Sequence, residues 1–237
     1  MLEIDKDRAA IGWLTGAWDD YTAGFFALLP VLLLQAAIAS GGLPLINKWH
    51  SLLPAAAYSL FVTTPVSLGC VLVYIRMARG GPARLADLFG AFPVYHRVLA
   101  VSVGLGLLTL GGLLAFVLPG VLLYLTYCFS EYLVVDRRTG VKESFALSRT
   151  LAEGWRRRLL PIAMLMLVLN LFAPEIARVS DPFKNPEVSL DLRPWTVAAY
   201  LLKNFVFMPW LGLAMARAYV FLLSFPTAAQ EPDPTDA

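Results

Sequence analysis

The side chains that ordinarily carry chemistry are few in this chain: two histidines, His50 and His96, and two cysteines, Cys70 and Cys128, among 237 residues. The histidines fall in loops expected on opposite sides of a bilayer, so they cannot share a metal or act as one acid–base pair. The cysteines lie inside apolar runs, where a thiol behaves as a small packing hydrophobe. No His-Glu-x-x-His, no glycine-rich phosphate loop ending in Lys-Ser/Thr and no nucleophile elbow occurs. No catalytic residue, metal site or cofactor is expected. An enzyme is the least expected class, because hydrolysis or group transfer needs acid, base, nucleophile or metal gathered on one side.

What remains is a set of polar residues inside apolar runs, where hydrocarbon makes them costly and each one poses a functional question. Tyr124, Tyr127 and Glu131 follow helical spacing, giving one face two phenols and a carboxylate. Arg217 is expected at similar depth, and a Glu131–Arg217 pair is expected to be structural rather than a proton or substrate site. Lys203 and Asn204 lie in the last run and Asn170 in the one before. Lys203 either snorkels to the interface or pairs with Glu175.

The elements that must position these residues announce themselves as long apolar runs at 24–39, 54–75, 98–118, 121–135, 159–173 and 195–225. A helix needs about 20 residues to cross a bilayer. The chain is 58% hydrophobic and 15% charged, against about 25% charged in soluble domains. The expected fold is all-α: a polytopic transmembrane helical bundle of about six spans, forming one domain over residues 1–225, followed by a disordered acidic tail at 226–237. Some twenty residues with an acidic excess precede the first run, so it reads as a retained span rather than a cleaved signal, whose leading region is short and basic. Runs three and four are separated by Pro119-Gly120; either the chain makes a hairpin there or the fourth run is re-entrant.

With six spans, the loops at 76–97 and 136–158 lie on one side and hold most of the arginines, while the other side has Lys48, Arg178, Lys184 and Arg193. By the positive-inside rule both termini are cytoplasmic, in a bacterial inner membrane. Two amphipathic stretches flank spans on that side. One, at 9–21, carries Ile11, Trp13, Leu14, Trp18 and Tyr21. The other, at 141–156, carries Val141, Phe145, Ser148, Ala152 and Trp155 on one face, and is expected to be interfacial. Near it Arg149, Arg156, Arg157 and Arg158 are candidate contacts to anionic headgroups, at about 1 kcal/mol each; orientation alone explains the same charges. Each stretch leads to a pair of spans whose second member has a proline, a glycine and an arginine: Pro65, Gly69 and Arg76, then Pro209, Gly212 and Arg217. This suggests a parallel internal repeat, an arrangement common in transporters, where broken helices build sites at the midplane. Thr63 and Thr64 can satisfy a carbonyl freed by Pro65.

The segment 80–92 with Asp87-Leu88-Phe89 and Phe92, the glycine-rich third run ending Val117-Leu118-Pro119-Gly120, and Tyr132-Leu133-Val134-Val135-Asp136 followed by Gly140, Glu143, Ser144, Ala146, Leu147 and Ser148 resemble a group of bacterial six-span membrane proteins. The group includes YciC-type inner-membrane proteins and the membrane domain attached to some glycerophosphodiester phosphodiesterases. The resemblance covers residues 13 to about 219. It implies a fold and no activity, since the chain carries no phosphodiesterase domain.

On the third run Ser102, Gly104, Gly106, Gly111 and Ala115 form a small-residue face that lets a neighbouring helix approach closely, expected to be internal packing with a partner helix as the alternative. The loop 174–194 combines turn formers with an alternating stretch at 188–192. The expected function is a non-enzymatic inner-membrane protein, a structural or accessory subunit packing against membrane lipids and partner membrane proteins or a second copy of itself, with no nucleic-acid role. The alternative is a small-molecule or lipid transporter or lipid-handling protein with a polar site among spans four to six.

Overall fold

The computed structural model describes residues 9–181 and 184–225. The acidic tail at 226–237, Pro182 and Phe183 of the expected turn, and the side chain of Ala115 from the expected packing face lie outside the described residues. Helix α1 runs Ala9–Ser40, and α2 (Leu43–Trp49) and α3 (Leu52–Tyr58) follow it. A π-helical turn at Ser59–Thr63 leads into α4 (Thr64–Ala78). Beyond short 3₁₀ turns at Leu85–Phe89 and Phe92–Val94 come α5 (Tyr95–Ala115), α6 (Val117–Tyr127), α7 (Ser130–Arg137), α8 (Val141–Ala152) and α9 (Arg156–Phe172). An antiparallel hairpin of β1 (Ala177–Ser180) and β2 (Glu187–Leu190) precedes α10 (Pro194–Leu201), a second π-helical segment at Leu202–Phe207, and α11 (Met208–Leu223).

Four helical stretches, Ala10–Trp49, Leu52–Ala78, Leu85–Gly112 and Pro194–Leu223, are long and apolar enough to cross a membrane. The all-α reading holds, with the hairpin as the one sheet among the described residues. Helix α9, at 17 residues, sits at the lower limit of about 17 for a crossing. Helix α6, at 11 residues, is far below it. The break between the third and fourth apolar runs falls at Phe116, whose backbone is extended (φ −163°, ψ 149°), rather than at Pro119-Gly120. A proline in the first turn of a helix costs no hydrogen bond, so Pro119 starts α6 instead of ending α5. The chain doubles back there, and Gly112 of α5 meets Gly120 of α6.

The stretch at 9–21 is not a separate amphipathic helix. It is the opening of α1, which continues for 32 residues, about 48 Å. Its Trp13, Ala17 and Tyr21 are buried. The second amphipathic stretch forms α8 but packs inward: Ser144, Ser148, Leu151 and Ala152 are buried against α6 and α7, while Val141 and Phe145 are only partly covered. Ser148 earns its burial by hydrogen bonding, its Oγ donating to the Thr126 carbonyl at 3.1 Å and accepting from Phe129 N at 3.2 Å.

Helix α11 is the axis of the bundle. Leu211, Leu213, Ala214, Ala216, Ala218 and Tyr219 are fully covered because α1, α4 and α9 surround it; a helix apolar on all sides belongs in such a place. The perimeter is apolar as well, with Phe26, Leu107, Leu114, Leu171 and Phe172 exposed. Patches of that size are a liability in water and ordinary in hydrocarbon.

Candidate functional site

The two π-helical segments are built alike. Each ends at a helix whose second residue is proline, Pro65 or Pro209, and proline has no N–H to give. Both segments end on a five-residue step, Thr64 N donating to the Ser59 carbonyl and Met208 N to the Lys203 carbonyl. A tyrosine hydroxyl donates to a carbonyl of each: Tyr95 Oη to Leu60, and Tyr21 Oη to Phe205 at 2.7 Å. Thr64 Oγ1 adds a bond to the Ser59 carbonyl at 2.9 Å. Gly212 lets the Tyr74 ring lie directly on α11: an added Cβ would stand 2.7 Å from the ring.

Against the second break lies a cavity of about 290 Å³ bounded by α1, α4, α7, α9 and the α10–α11 segment. Its polar lining comprises Gln35, Ser67, Cys70, Tyr74, Tyr132, Tyr200 and Asn204. Cys70 Sγ donates to Gln35 Oε1 at 2.9 Å and Asn204 Nδ2 donates to the Tyr200 carbonyl at 3.0 Å. The hydroxyls of Ser67, Tyr74, Tyr132 and Tyr200 have no hydrogen-bond partner among the described residues. No formal charge lines this cavity.

The opposite end of α4 is closed by charge. Arg79 grips Asp136 with two bonds, at 2.7 and 2.6 Å, and Tyr219 Oη donates to the same carboxylate at 3.0 Å. Arg76 pairs with Asp87 at 2.6 Å. These four charged residues border a second cavity of about 370 Å³. Leu88, fully buried, seats the 3₁₀ turn on α4 at Gly69, where a Cβ would stand 1.9 Å from the Leu88 carbonyl oxygen.

The expected Glu131–Arg217 pair does not form. Arg217 binds Asp20 through Nε and Nη2 at 2.6 and 2.8 Å, because the continuous α1 carries Asp20 alongside α11 and Gly16 leaves room for the guanidinium. Glu131 instead accepts from Ser102 Oγ at 2.5 Å. Tyr127 packs on Phe145 with ring centroids 5.3 Å apart, and Tyr124 lies against the main core. Of the polar residues singled out from sequence, Asn204 alone reaches the cavity. Lys203, which is 5% exposed, pairs with Glu175, so the pairing alternative holds over snorkelling. Asn170 satisfies itself on the Met166 carbonyl at 3.0 Å.

The small-residue face of α5 divides. Ser102 serves Glu131 and Gly104 meets the Phe145 ring, but among the described residues nothing lies within 4 Å of where a Cβ would stand on Gly106 or Gly111; the close helix contact is made at Gly112. The packing expected at Gly106 and Gly111 is therefore not found among the described residues. Arg149 and Arg157 are exposed, Arg156 is partly covered, and the Arg158 guanidinium lies 5.2 Å from the Trp155 ring centroid. His50 ends α2 and His96 lies in the first turn of α5; among the described residues no three His, Cys, Asp or Glu side chains gather to hold a metal.

At the far end of the bundle the expected extended stretch at 188–192 forms β2 through Leu190. Asn47 of α2 holds it, accepting from Val188 N at 2.6 Å. Asp191 accepts from Arg193 Nε at 2.7 Å, which holds its carboxyl well below the usual carboxylate range.

Sequence reasoning noted the prolines that mark both breaks but missed Gln35, Ser67, Tyr74, Tyr132 and Tyr200, whose only signal was polarity within apolar runs. It also missed the ion pairs of Asp20, Asp87 and Asp136, the last two of which were noted only for the family resemblance. No protein-family model, characterised protein or solved structure matches the chain.

Proposed function

We propose that this chain is a non-enzymatic, polytopic protein of a bacterial inner membrane that accommodates a small lipid-soluble molecule in the cavity walled by its second proline-broken segment, as a transporter or lipid-handling protein. The observation behind this reading is the cavity itself: it has no charged residue in its lining, several of its hydroxyls have no partner among the described residues, and Asn204, Phe205 and Pro209 of the second break form part of its wall. Irregular backbone at membrane depth belongs where it lines a cavity, and the matching proline breaks at Pro65 and Pro209 suit the parallel repeat. Six crossings with cytoplasmic termini are part of the proposal. They rest on the arginine-rich loops at 76–97 and 136–158, on α6 and α7 together completing one crossing, and on the resemblance to six-span inner-membrane proteins. The test is extraction in mild detergent followed by mass spectrometry of retained small molecules. Wild type should hold one species at fixed stoichiometry, and Ala36→Trp, which fills the cavity, should lose it at unchanged folded yield. Identical profiles would reject the reading.

A second reading, an accessory subunit, is favoured by the outer face of α5, where Gly106 and Gly111 have no packing neighbour among the described residues and Val103, Leu107 and Leu110 are exposed. Its test is co-purification of a partner membrane protein at fixed stoichiometry that Gly111→Leu abolishes while the fold survives.

A further inference from the structure

The cavity's hydrogen-bonding inventory defines what can fill it. Tyr132, 8% exposed, and the half-buried Tyr74 both line the cavity, and neither hydroxyl has an acceptor among the described residues. Neither is sealed in the core, so both are donors open to the cavity, and an occupant that accepts from them gains hydrogen bonds the fold itself does not make. Gln35 also keeps its amide N–H₂ free, since Cys70 engages only Oε1. These groups offer donors, and no cation or anion stands among the lining residues to meet a charged ligand, whose transfer into such a site is prohibitive. The remaining wall is apolar, with Leu32, Val71, Met166 and Met208.

A route of entry adjoins this site. On the bundle perimeter α1 and the α10–α11 segment border an apolar groove of about 530 Å³ lined by Leu29, Leu33, Ala198, Leu201 and Val206, with Phe205 lining both groove and cavity. The Phe205 backbone carbonyl accepts from Tyr21. A residue of the second π-helical segment thus borders both the outer apolar groove and the polar chamber.

We infer that the cavity binds an uncharged amphiphile bearing carbonyl oxygens, of the chemistry shared by a quinone ring and a glycerol diester, which enters sideways from the bilayer past Phe205 with its carbonyls toward Tyr74 and Tyr132 and its tail in the groove. This rests on the cavity reading proposed above and names its ligand class.

The experiment is native mass spectrometry of the full chain in detergent, titrated with dioctanoylglycerol, with a decyl-chain quinone and with dioctanoyl phosphatidylglycerol. At least one neutral probe should bind one per chain, at least tenfold more tightly than the anionic lipid, and which one binds identifies the source. Tyr74→Phe and Tyr132→Phe keep the rings and remove only the donors. Each should weaken the neutral probe by about tenfold, the equivalent of one hydrogen bond. Equal binding of phosphatidylglycerol, no binding of either neutral probe, or full affinity in the Tyr74→Phe/Tyr132→Phe double variant overturns the ligand class. If Ala36→Trp still displaces the molecule retained from the native membrane in that event, the cavity reading stands and only the inference fails; if Ala36→Trp leaves probe binding intact, both fail.

Discussion

The two ends of helix α1 border opposite kinds of interior. Near its start the bundle is locked by bidentate ion pairs: Arg217 on Asp20, and beside them Arg79 on Asp136 with Tyr219 donating to the same carboxylate. Its later turns, from Leu32 to Ala39, line the cavity, where the donors are neutral and several have no partner among the described residues. Both regions bury polar groups. In the first the charges named are answered within the chain, so the arrangement is complete without a ligand. In the second the cavity hydroxyls are not answered, although Tyr21 and Tyr95 do donate to carbonyls of the two π-helical segments. A fold that answers those carbonyls but leaves phenols facing a cavity is unfinished at that site.

Breaking the locked end should have the largest effect. Asp136→Ala removes three hydrogen bonds from a nearly buried carboxylate; because Arg79 is about half exposed and water takes over part of its solvation, the loss should be about 2 kcal/mol, read as a lowered melting temperature in detergent. A similar loss, about 1–3 kcal/mol, is expected for Gly69→Ala, since the new methyl meets backbone rather than a yielding side chain; proteolysis within residues 80–94 should then rise, and an unchanged digestion pattern would contradict the seating of Leu88. At the open end Tyr74→Phe should leave stability within about 0.5 kcal/mol of wild type, read as a nearly unchanged melting temperature, because no hydrogen bond among the described residues is lost; a large drop would mean that the phenol is structural. Glu131→Gln should also be mild, as the amide oxygen still accepts from Ser102.

The smallest effect concerns pH. Arg193 depresses the Asp191 carboxyl, so the hairpin's gain from this contact is present above the unfolded carboxylate value of about 3.9 and is lost as pH falls through the lower folded value. Amide exchange of β1 and β2, corrected for its intrinsic pH dependence, should keep constant protection from about pH 8 to 5, a window above that value, and loosen only in stronger acid. Loss of protection near neutral pH would contradict the contact.

The four helical stretches long and apolar enough to cross a membrane were legible in the sequence as apolar runs, whereas the runs at 121–135 and 159–173 gave helices of only 11 and 17 residues. The prolines at 65 and 209 were legible as interruptions, since a missing N–H is a property of the residue itself. The Arg217 partner was not: pairing by estimated depth pointed to Glu131, and only the continuity of α1 through its acidic pair brings Asp20 to the arginine. The bonds of Ser148 to a neighbouring helix were likewise hidden, as was the burial of Ser144, which donates within α8 to the Val141 carbonyl at 2.7 Å; a buried hydroxyl has no periodic signature that separates it from a solvated one. The cavity joins a face of α1 (Leu32, Gln35, Ala36 and Ala39) and a face of α4 (Ser67, Cys70, Val71 and Tyr74) to residues of α7, α9 and the α10–α11 segment; each face has helical spacing, but no spacing along the chain encodes their convergence.

The central claim is that the interior near the end of α1 is open to a lipid-soluble molecule while an equally buried interior elsewhere is not. The two cysteines provide the comparison without substitution. Cys70 is 2% exposed and lines the cavity, whereas Cys128 is 5% exposed in the packed core and donates to the Leu125 carbonyl at 3.3 Å. Site-resolved mass spectrometry after treatment with a lipid-soluble thiol reagent in native membranes should find Cys70 modified, Cys128 intact, and Cys70 protected by the neutral amphiphile that binds. Modification of Cys128 at an equal or faster rate, or no modification of Cys70 under conditions that label the unfolded chain, would contradict an open cavity.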